Sequence, residues 1–140
     1  MCAVHFGDIV IVKDLLDPQG RNPKDRRAVV LTKDGDLERG EPIVVAGITS
    51  RLQPPLGPEF VELPWQNPRH PKTGCTKRCA VMCSWLAVVN PAAIITVSGR
   101  VPGRHLITVA EKTREAMARV LGPDWLEPEA GNKPPDADGC

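Results

Sequence analysis

Two arginines and two hydroxyl residues stand at the ends of two short apolar stretches, and together their side chains could bind a phosphate. Arg26 and Arg27 open one apolar stretch, and Thr49 and Ser50 close the other. A guanidinium is planar, permanently charged and able to donate paired hydrogen bonds to phosphate oxygens, and a hydroxyl adds one more donor. This pattern predicts an oxyanion site, provided that the two stretches are neighbouring antiparallel strands.

The two stretches have the length and composition of buried β-strands. They cover residues 27–32 and 43–49, and both consist largely of valine, isoleucine, leucine and alanine. Buried strands have nearly continuous apolar runs of this kind. Antiparallel pairing would bring the start of the first strand to the end of the second, which is the arrangement that the oxyanion site requires.

Four further strands and one helix are predicted from the rest of the chain. The strands cover residues 6–13, 59–63, 79–89 and 94–101, the third being long enough to bend, and Gly99 is expected to form a bulge in the last. Residues 103–121 have apolar side chains along one helical face, and Gly122 and Pro123 end that helix. These elements predict a mostly β, α+β fold, a small antiparallel barrel with a C-terminal amphipathic helix.

Two long segments between the strands are rich in basic residues. Residues 14–25 lead directly into the arginines, so they form either a substrate-gripping loop or an ordinary solvated hairpin loop. Residues 64–77 contain Trp65 and His70 among lysines and arginines. Trp65 could stack on a single-stranded base, or it could close the edge of the barrel.

The composition is that of a globular protein, and the charge suits an anionic partner such as nucleic acid without requiring one. The chain has 140 residues and 41% hydrophobic residues, which suits one domain, and no stretch resembles a signal peptide or a membrane span, so we expect a cytoplasmic protein. Residues 123–140 contain five acids and one lysine, which leaves 17 basic and 12 acidic residues in the remainder. We expect a domain at 1–122 and a disordered, acidic and proline-rich tail at 123–140.

Five cysteines allow two interpretations. Cys75, Cys79 and Cys83 recur every fourth residue with His70 nearby, whereas Cys2 and Cys140 are terminal. Structural zinc sites use a close pair of ligands followed by a distant pair, which this spacing does not provide. Buried thiols in a reducing compartment are therefore favoured over a metal site.

The order of these pieces resembles the MazF/PemK family of toxin endoribonucleases. Gly7-Asp8-Ile9-Val10, Arg27 with the valine-rich strand after it, and the Val-Val-Ala-Gly-Ile-Thr-Ser of residues 44–50 carry the resemblance. Residues 81–89, and residues 98–101 with the following helix, are similar to the family's closing segments. The resemblance covers residues 6–121 and rests on the ordered set of motifs.

The resemblance implies an SH3-like barrel of a toxin-antitoxin system. Such a protein forms a homodimer, cuts single-stranded RNA at short specific sequences without a metal or other cofactor, and is inhibited by a cognate antitoxin. It also implies that Arg27 and Thr49 are the catalytic residues. We expect the flanking loops to hold the RNA strand, through Gly20, Arg21, Arg26, Ser50, Arg51 and Gln53.

These residue types suit metal-independent RNA cleavage. Attack of a 2′-oxygen on the adjacent phosphorus builds negative charge on the non-bridging oxygens, and Arg27 and Thr49 would stabilise that charge. No residue is assigned as the general base, because an arginine is always protonated and cannot accept the proton of the 2′-hydroxyl. His5 and His70 have a suitable intrinsic pKa, but the sequence places neither at the site.

Three positions depart from the family pattern. Ala28 replaces the usual proline after the catalytic arginine, and Ser84 and Ala87 stand on the penultimate strand where an acid and an arginine are usual.

The alternative function is a non-enzymatic toxin-like barrel that binds RNA without cleavage, or a protein target as gyrase poisons do. A third interpretation is a structural barrel with metal-binding cysteines.

Overall fold

The computed structural model describes residues 4–121 and consists of one antiparallel sheet with a long C-terminal helix. The predicted tail, Cys2 and Cys140 lie outside the described residues. The strands are β1 (Asp8–Leu15), β2 (Lys24–Val30), β3 (Ile43–Thr49), β4 (Phe60–Leu63), β5 (Cys79–Val89) and β6 (Ile94–Arg100). The helices are α1 (Asp34–Glu38) and α2 (Gly103–Leu121), and a 3₁₀ turn covers Pro91–Ala93.

The sheet is open at both edges. Its strand order is β4-β5-β3-β2-β1-β6, so β4 and β6 are the edge strands and do not pair with each other. The mostly β fold with a C-terminal helix is confirmed, but the predicted barrel is not closed. β4 has only four residues and contacts α2, so the helix rather than β6 lies against that end of the sheet.

Local predictions and structure differ at two places and agree at a third. β1 continues to Leu15 and β2 begins at Lys24, so the loop between them is shorter than predicted. The polar segment after β2 contains the short helix α1 instead of a simple turn. The bulge predicted at Gly99 is present, because the β1–β6 register shifts between the Ile9 and Val10 pairs.

Both faces of the sheet are buried, which explains why β3 and the last three residues of β2 are apolar at nearly every position. The face covered by α2 forms a helix-side core. Its members include Ile9, Val29, Ala46, Val81 and Val109. The opposite face forms a second core that includes Val10, Ala28, Val30, Val45 and Trp85. Successive residues of β2 and β3 therefore enter different cores, as strand geometry requires.

β5 changes its phase in the middle, and this places Trp85 in the second core. Val81 and Cys83 belong to the helix-side core, so regular alternation would place Trp85 there too. Instead the register of β5 against β3 shifts by several residues, since Ala46 pairs with Leu86 and Ile48 pairs with Val81. Such an irregularity redirects side chains locally.

The indole of Trp85 lies on Gly47 of β3. A Cβ at position 47 would overlap atoms of the indole ring. The ring is 7% exposed, and its Nε1 donates a hydrogen bond of 3.1 Å to the carbonyl of Leu16. The glycine thus allows one side chain to connect β5, β3 and the loop after β1.

We predict that Gly47→Ala lowers the free energy of unfolding by about 1–3 kcal/mol, the usual cost of overpacking a filled core. The matched control is Gly35→Ala, because a Cβ at position 35 in α1 meets nothing within 4 Å. The control should leave stability unchanged or raise it by up to about 1 kcal/mol. Urea denaturation provides the comparison, and equal midpoints for the two variants would show that Trp85 does not need the glycine.

Candidate phosphate-binding site

The predicted pairing of the two central strands is present. β2 and β3 are antiparallel, with Ala28 opposite Gly47 and Val30 opposite Val45. The paired stretch ends at Ala28, so Arg27 and Thr49 lie just beyond its last pair, at the same end of the sheet. Beyond this pair β2 and β3 have no further pairing, and this unpaired end, called the gap below, is the candidate site.

Arg27 lies on the helix-side face of the sheet. Val29, two residues further along β2, belongs to the helix-side core, and strand alternation gives Arg27 the same side. Its positive charge acts on the thiols of Cys75 and Cys79 in that core. Within residues 4–121, no hydrogen bond or ion pair of the described side chains engages its guanidinium, which leaves that group available for an anion.

Arg26 has a different role, on the opposite face. Its guanidinium carbon is 5.7 Å from the centroid of the Trp85 ring, within the range of a cation–π contact. Its Nε donates a hydrogen bond of 2.7 Å to the carbonyl of Leu15, and a terminal nitrogen donates to the carbonyl of Asn22. Arg26 therefore fixes the β1–β2 loop against the sheet, and two of its five N–H donors are used for this.

Thr49 lies on the same face as Arg26. Ile48 packs against the helix-side core, so the side chain of the next residue points to the other side of the sheet. Its hydroxyl oxygen accepts a hydrogen bond of 3.1 Å from the backbone N–H of Arg51, which turns the chain after β3. Arg27 and Thr49 thus approach the gap between β2 and β3 from opposite faces.

The β1–β2 loop is organised by one carboxylate. Asp17 accepts hydrogen bonds from the backbone N–H groups of Arg21 and Gln19 and from the side-chain amide of Asn22. These bonds, led by the one from Arg21, hold the pKa of Asp17 below its usual value. Gly20 has a φ of +78°, which favours glycine and closes the turn.

This loop forms one wall of a groove of about 380 Å³, and β5 forms the other. Gly20 and Trp85 are among the lining residues, whereas Arg27 and Thr49 are not. Of the other predicted binding residues, Arg21, Ser50, Arg51 and Gln53 are exposed on the loops that flank the gap. The sequence therefore predicted side chains from two adjoining regions, the groove and the gap.

The two candidate histidines differ in position. His5 precedes β1 and lies beside Asp34. The backbone N–H of nearby Gly7 donates a hydrogen bond to the carbonyl of Val30, so His5 lies at the end of β2 opposite to Arg27. His70 acts on the thiol of Cys75, as Arg27 does. Its Nδ1 accepts hydrogen bonds from the backbone N–H groups of Lys72 and Thr73, so the neutral ring carries its proton on Nε2. In that state His70 is a donor and not a base.

Trp65 is 49% exposed, so it does not close the sheet edge as one of the two predicted roles required. Its segment is an irregular excursion between β4 and β5, as predicted. The exposed indole is therefore free to contact a partner.

The helix-side core contains a pair of thiols that the sequence analysis did not recognise as a pair. Cys79 donates a hydrogen bond to Cys75, with 3.3 Å between the two sulfur atoms. This hydrogen bond, aided by Thr73, Arg27 and His70, lowers the pKa of Cys75 to about 6. The same contact and burial raise the pKa of Cys79. Among the described residues, no group of three or more potential ligands is arranged to hold a metal ion.

Comparison with known proteins relates the fold to one group of toxins. No protein-family model matches the chain, and no curated protein matches it. MazF (Form-I) from Deinococcus radiodurans is 17% identical, with a TM-score of 0.66 over 87% of this chain and 99% of that one. The toxin MazF-mt6 from Mycobacterium tuberculosis is 17% identical, with a TM-score of 0.58 over 79% of this chain and 95% of that one.

A MazE-MazF complex (Form-II) from D. radiodurans gives a similar result, with 18% identity and a TM-score of 0.60 over 87% of this chain and 98% of that one. The chain therefore has the fold of the MazF toxins. No helix in the described part of the chain is both long enough and apolar enough to cross a membrane.

The different roles of the two arginines predict different effects on stability. Arg26→Ala should lower the free energy of unfolding by about 1–3 kcal/mol, because it removes two hydrogen bonds and the contact with Trp85. Arg27→Ala should change it by less than about 0.5 kcal/mol, because it removes no intramolecular bond of the described residues. Urea denaturation of both variants tests this, and a larger loss for Arg27→Ala would reverse the assignment.

The thiol pair predicts a pH dependence of stability. Cys75 ionises lower in the folded than in the unfolded chain, so its contribution is lost as pH falls through about 6 and grows toward the unfolded thiol value of about 8.5. Above that value the contribution declines, because Cys79 keeps its proton only in the folded state.

The measurement is the unfolding midpoint of the wild type and of Cys75→Ser in reductant, at about pH 6 and about pH 8. The difference between the two proteins should be larger at the higher pH. A constant difference would mean that Cys75 is a neutral thiol throughout this range.

Proposed function

We propose that this protein is a toxin-type endoribonuclease that cleaves single-stranded RNA by attack of a 2′-oxygen on the adjacent phosphodiester, without a metal ion. The observation that supports this most is the end of the β2–β3 pairing, because Arg27 and Thr49 both lie just beyond it in a sheet with the MazF fold. A phosphodiester backbone entering that gap would meet a free guanidinium on one side and a hydroxyl on the other.

The proposed mechanism is electrostatic. As the 2′-oxygen attacks, charge develops on the non-bridging phosphate oxygens, and Arg27 donates paired hydrogen bonds to them. Thr49 donates from its hydroxyl, whose oxygen still accepts from the backbone N–H of Arg51. His70 holds its proton on Nε2, so it can donate a hydrogen bond to the phosphate. The 2′-hydroxyl proton passes to solvent, the bond from phosphorus to the 5′-oxygen breaks, and that oxygen takes up a proton from solvent.

The flanking side chains would bind the rest of the strand. Arg21, Ser50, Arg51 and Gln53 are exposed beside the gap, and we assign them contacts with the RNA backbone. Gly20 lines the adjoining groove, where Trp85 and the aliphatic side chains of β5 provide surface for a base. Arg26 holds the β1–β2 loop through its hydrogen bonds to Leu15 and Asn22, so we expect it to affect RNA binding indirectly, by positioning that loop.

The test is cleavage of a single-stranded RNA of mixed sequence by the purified protein in excess chelator. We expect cuts at a short sequence, with 2′,3′-cyclic phosphate ends. Arg27→Ala and Thr49→Ala should each reduce the rate by about 10²-fold or more, the usual cost of one oxyanion donor.

The control variant is Arg114→Ala, on the exposed side of α2, which removes the same charge away from the gap. It should cut at the wild-type rate. Dependence on added metal, or full activity of both site variants, would contradict the proposal. Arg27→Lys adds a finer comparison, because lysine keeps the charge but lacks the paired donors.

A second function, RNA binding without cleavage, is favoured by one observation. Arg27 and Thr49 belong to opposite faces of the sheet, so a strand bound to one face contacts only one of them. RNA retention with no cleavage in the same assay would support this function. A protein that neither binds nor cuts RNA would instead suit a protein target of the gyrase-poison type.

The fold neighbours also suggest the partners. MazE-MazF complexes are among them, and we extend that to this chain as binding of a cognate antitoxin. We likewise propose a homodimer acting in the cytoplasm, where its mRNA substrate is found. Co-expression with the neighbouring gene product, followed by size-exclusion chromatography with light scattering, tests both assemblies.

A further inference from the structure

A pair of adjacent buried thiols lies beneath the candidate site and has no part in the proposed cleavage. Cys75 is 1% exposed and Cys79 is 5% exposed. Their sulfur atoms are 3.3 Å apart, whereas the sulfur of Cys83 bonds to the carbonyl of Val109. Two sulfurs in a disulfide are about 2.05 Å apart, so bond formation requires a closing movement of little more than about 1 Å.

The backbone holds Cys75 in this position. Its carbonyl accepts hydrogen bonds from the N–H groups of Gln66 and His70, of 3.2 and 3.0 Å. Its N–H donates to the hydroxyl of Thr73, which donates in turn to the carbonyl of Pro64. Cys79 is fixed independently as the first residue of β5, opposite Leu63 of β4. The contact between the two sulfurs is therefore set by two rigid elements.

We propose that Cys75 and Cys79 form a reversible disulfide, and that this modification changes the charge beside Arg27. The oxidant is a small peroxide, since burial excludes larger ones. The Cys75 sulfur attacks a peroxide oxygen and breaks the O–O bond, which gives a sulfenic acid and water. The Cys79 sulfur then displaces the sulfenic oxygen as a second water. Both thiol protons leave in water, and the two electrons of the dithiol reduce the peroxide.

The consequence for RNA rests on the proposed function. Because the hydrogen bond from Cys79 and the charge of Arg27 lower the pKa of Cys75, we expect its sulfur to be negative in the reduced protein and to compete with a phosphate for Arg27. The disulfide is neutral, so oxidation makes Arg27 a stronger phosphate ligand. We expect RNA to bind about threefold more tightly to the oxidised protein at low salt.

The modification is tested first, by mass spectrometry without RNA. The Cys2→Ser/Cys140→Ser variant removes the terminal thiols and is treated with hydrogen peroxide, alkylated while unfolded and digested with trypsin. Trypsin cuts after Lys77 and Arg78, between the two cysteines. The reduced protein should give separate peptides 73–77 and 79–100 with all three cysteines alkylated. The oxidised protein should give one cross-linked species in which only Cys83 is alkylated, two hydrogens lighter than the same two peptides with Cys75 and Cys79 as free thiols.

Cys83→Ala in that background should still form the cross-link, and Cys79→Ser should not. Three alkylated cysteines after peroxide treatment, a bond from Cys75 to Cys83, or oxygen added to Cys75 with no cross-link would each overturn the proposal. The wild-type residues of the pair are intact in the first measurement, so a folding defect of Cys79→Ser does not affect it.

The second arm measures binding of a 2′-O-methyl RNA oligonucleotide, which cannot be cut, by the reduced and the oxidised protein. Tighter binding after oxidation is expected for the wild type, and Arg27→Ala should show no dependence on oxidation. Equal affinities of the two wild-type forms would overturn the link to Arg27. Absence of any RNA binding would count against the proposed function and leave the cross-link result unaffected.

Discussion

The antiparallel pairing of β2 and β3 is the constraint on which the rest of the structure depends. It places two apolar strands at the centre of the sheet, and their alternating side chains divide the interior into two cores. Trp85 then reaches this pair only because Gly47 has no side chain, and Arg26 covers the indole from the loop side. The pairing ends at Ala28 and Gly47, and Arg27 and Thr49 lie just beyond this last pair, on opposite faces of the sheet.

Two adjacent arginines differ in role because a strand sends neighbouring side chains to opposite faces. Arg26 meets an aromatic ring and two backbone carbonyls, so it acts as a structural clamp. Arg27 meets a core that contains two polarised thiols, so its charge is balanced only in part by the protein. Arg26 therefore orders the β1–β2 loop, and the adjacent Arg27 contributes positive charge at the gap.

The sequence was most informative where local pattern and burial agree. β3, β5 and α2 have the predicted bounds, because continuous apolar runs and a single amphipathic face are signals within the segment itself. It was less informative about contacts between distant segments. The phase change in β5, the sulfur pair and the open edges all depend on packing between elements. The predicted strand pairing was right, but pairing alone did not specify on which face each side chain lies.

The distinction between faces also decides what a bound RNA must do. A strand lying flat on either side of the sheet would meet Arg27 or Thr49 but not both. To be cut by these two residues, the RNA must pass through the gap at the end of β2 and β3, with its scissile phosphate at the edge of the sheet. Such a path would turn the RNA backbone sharply at the scissile phosphate. On the proposed function, the substrate would be single-stranded, because a duplex is too stiff to make such a turn.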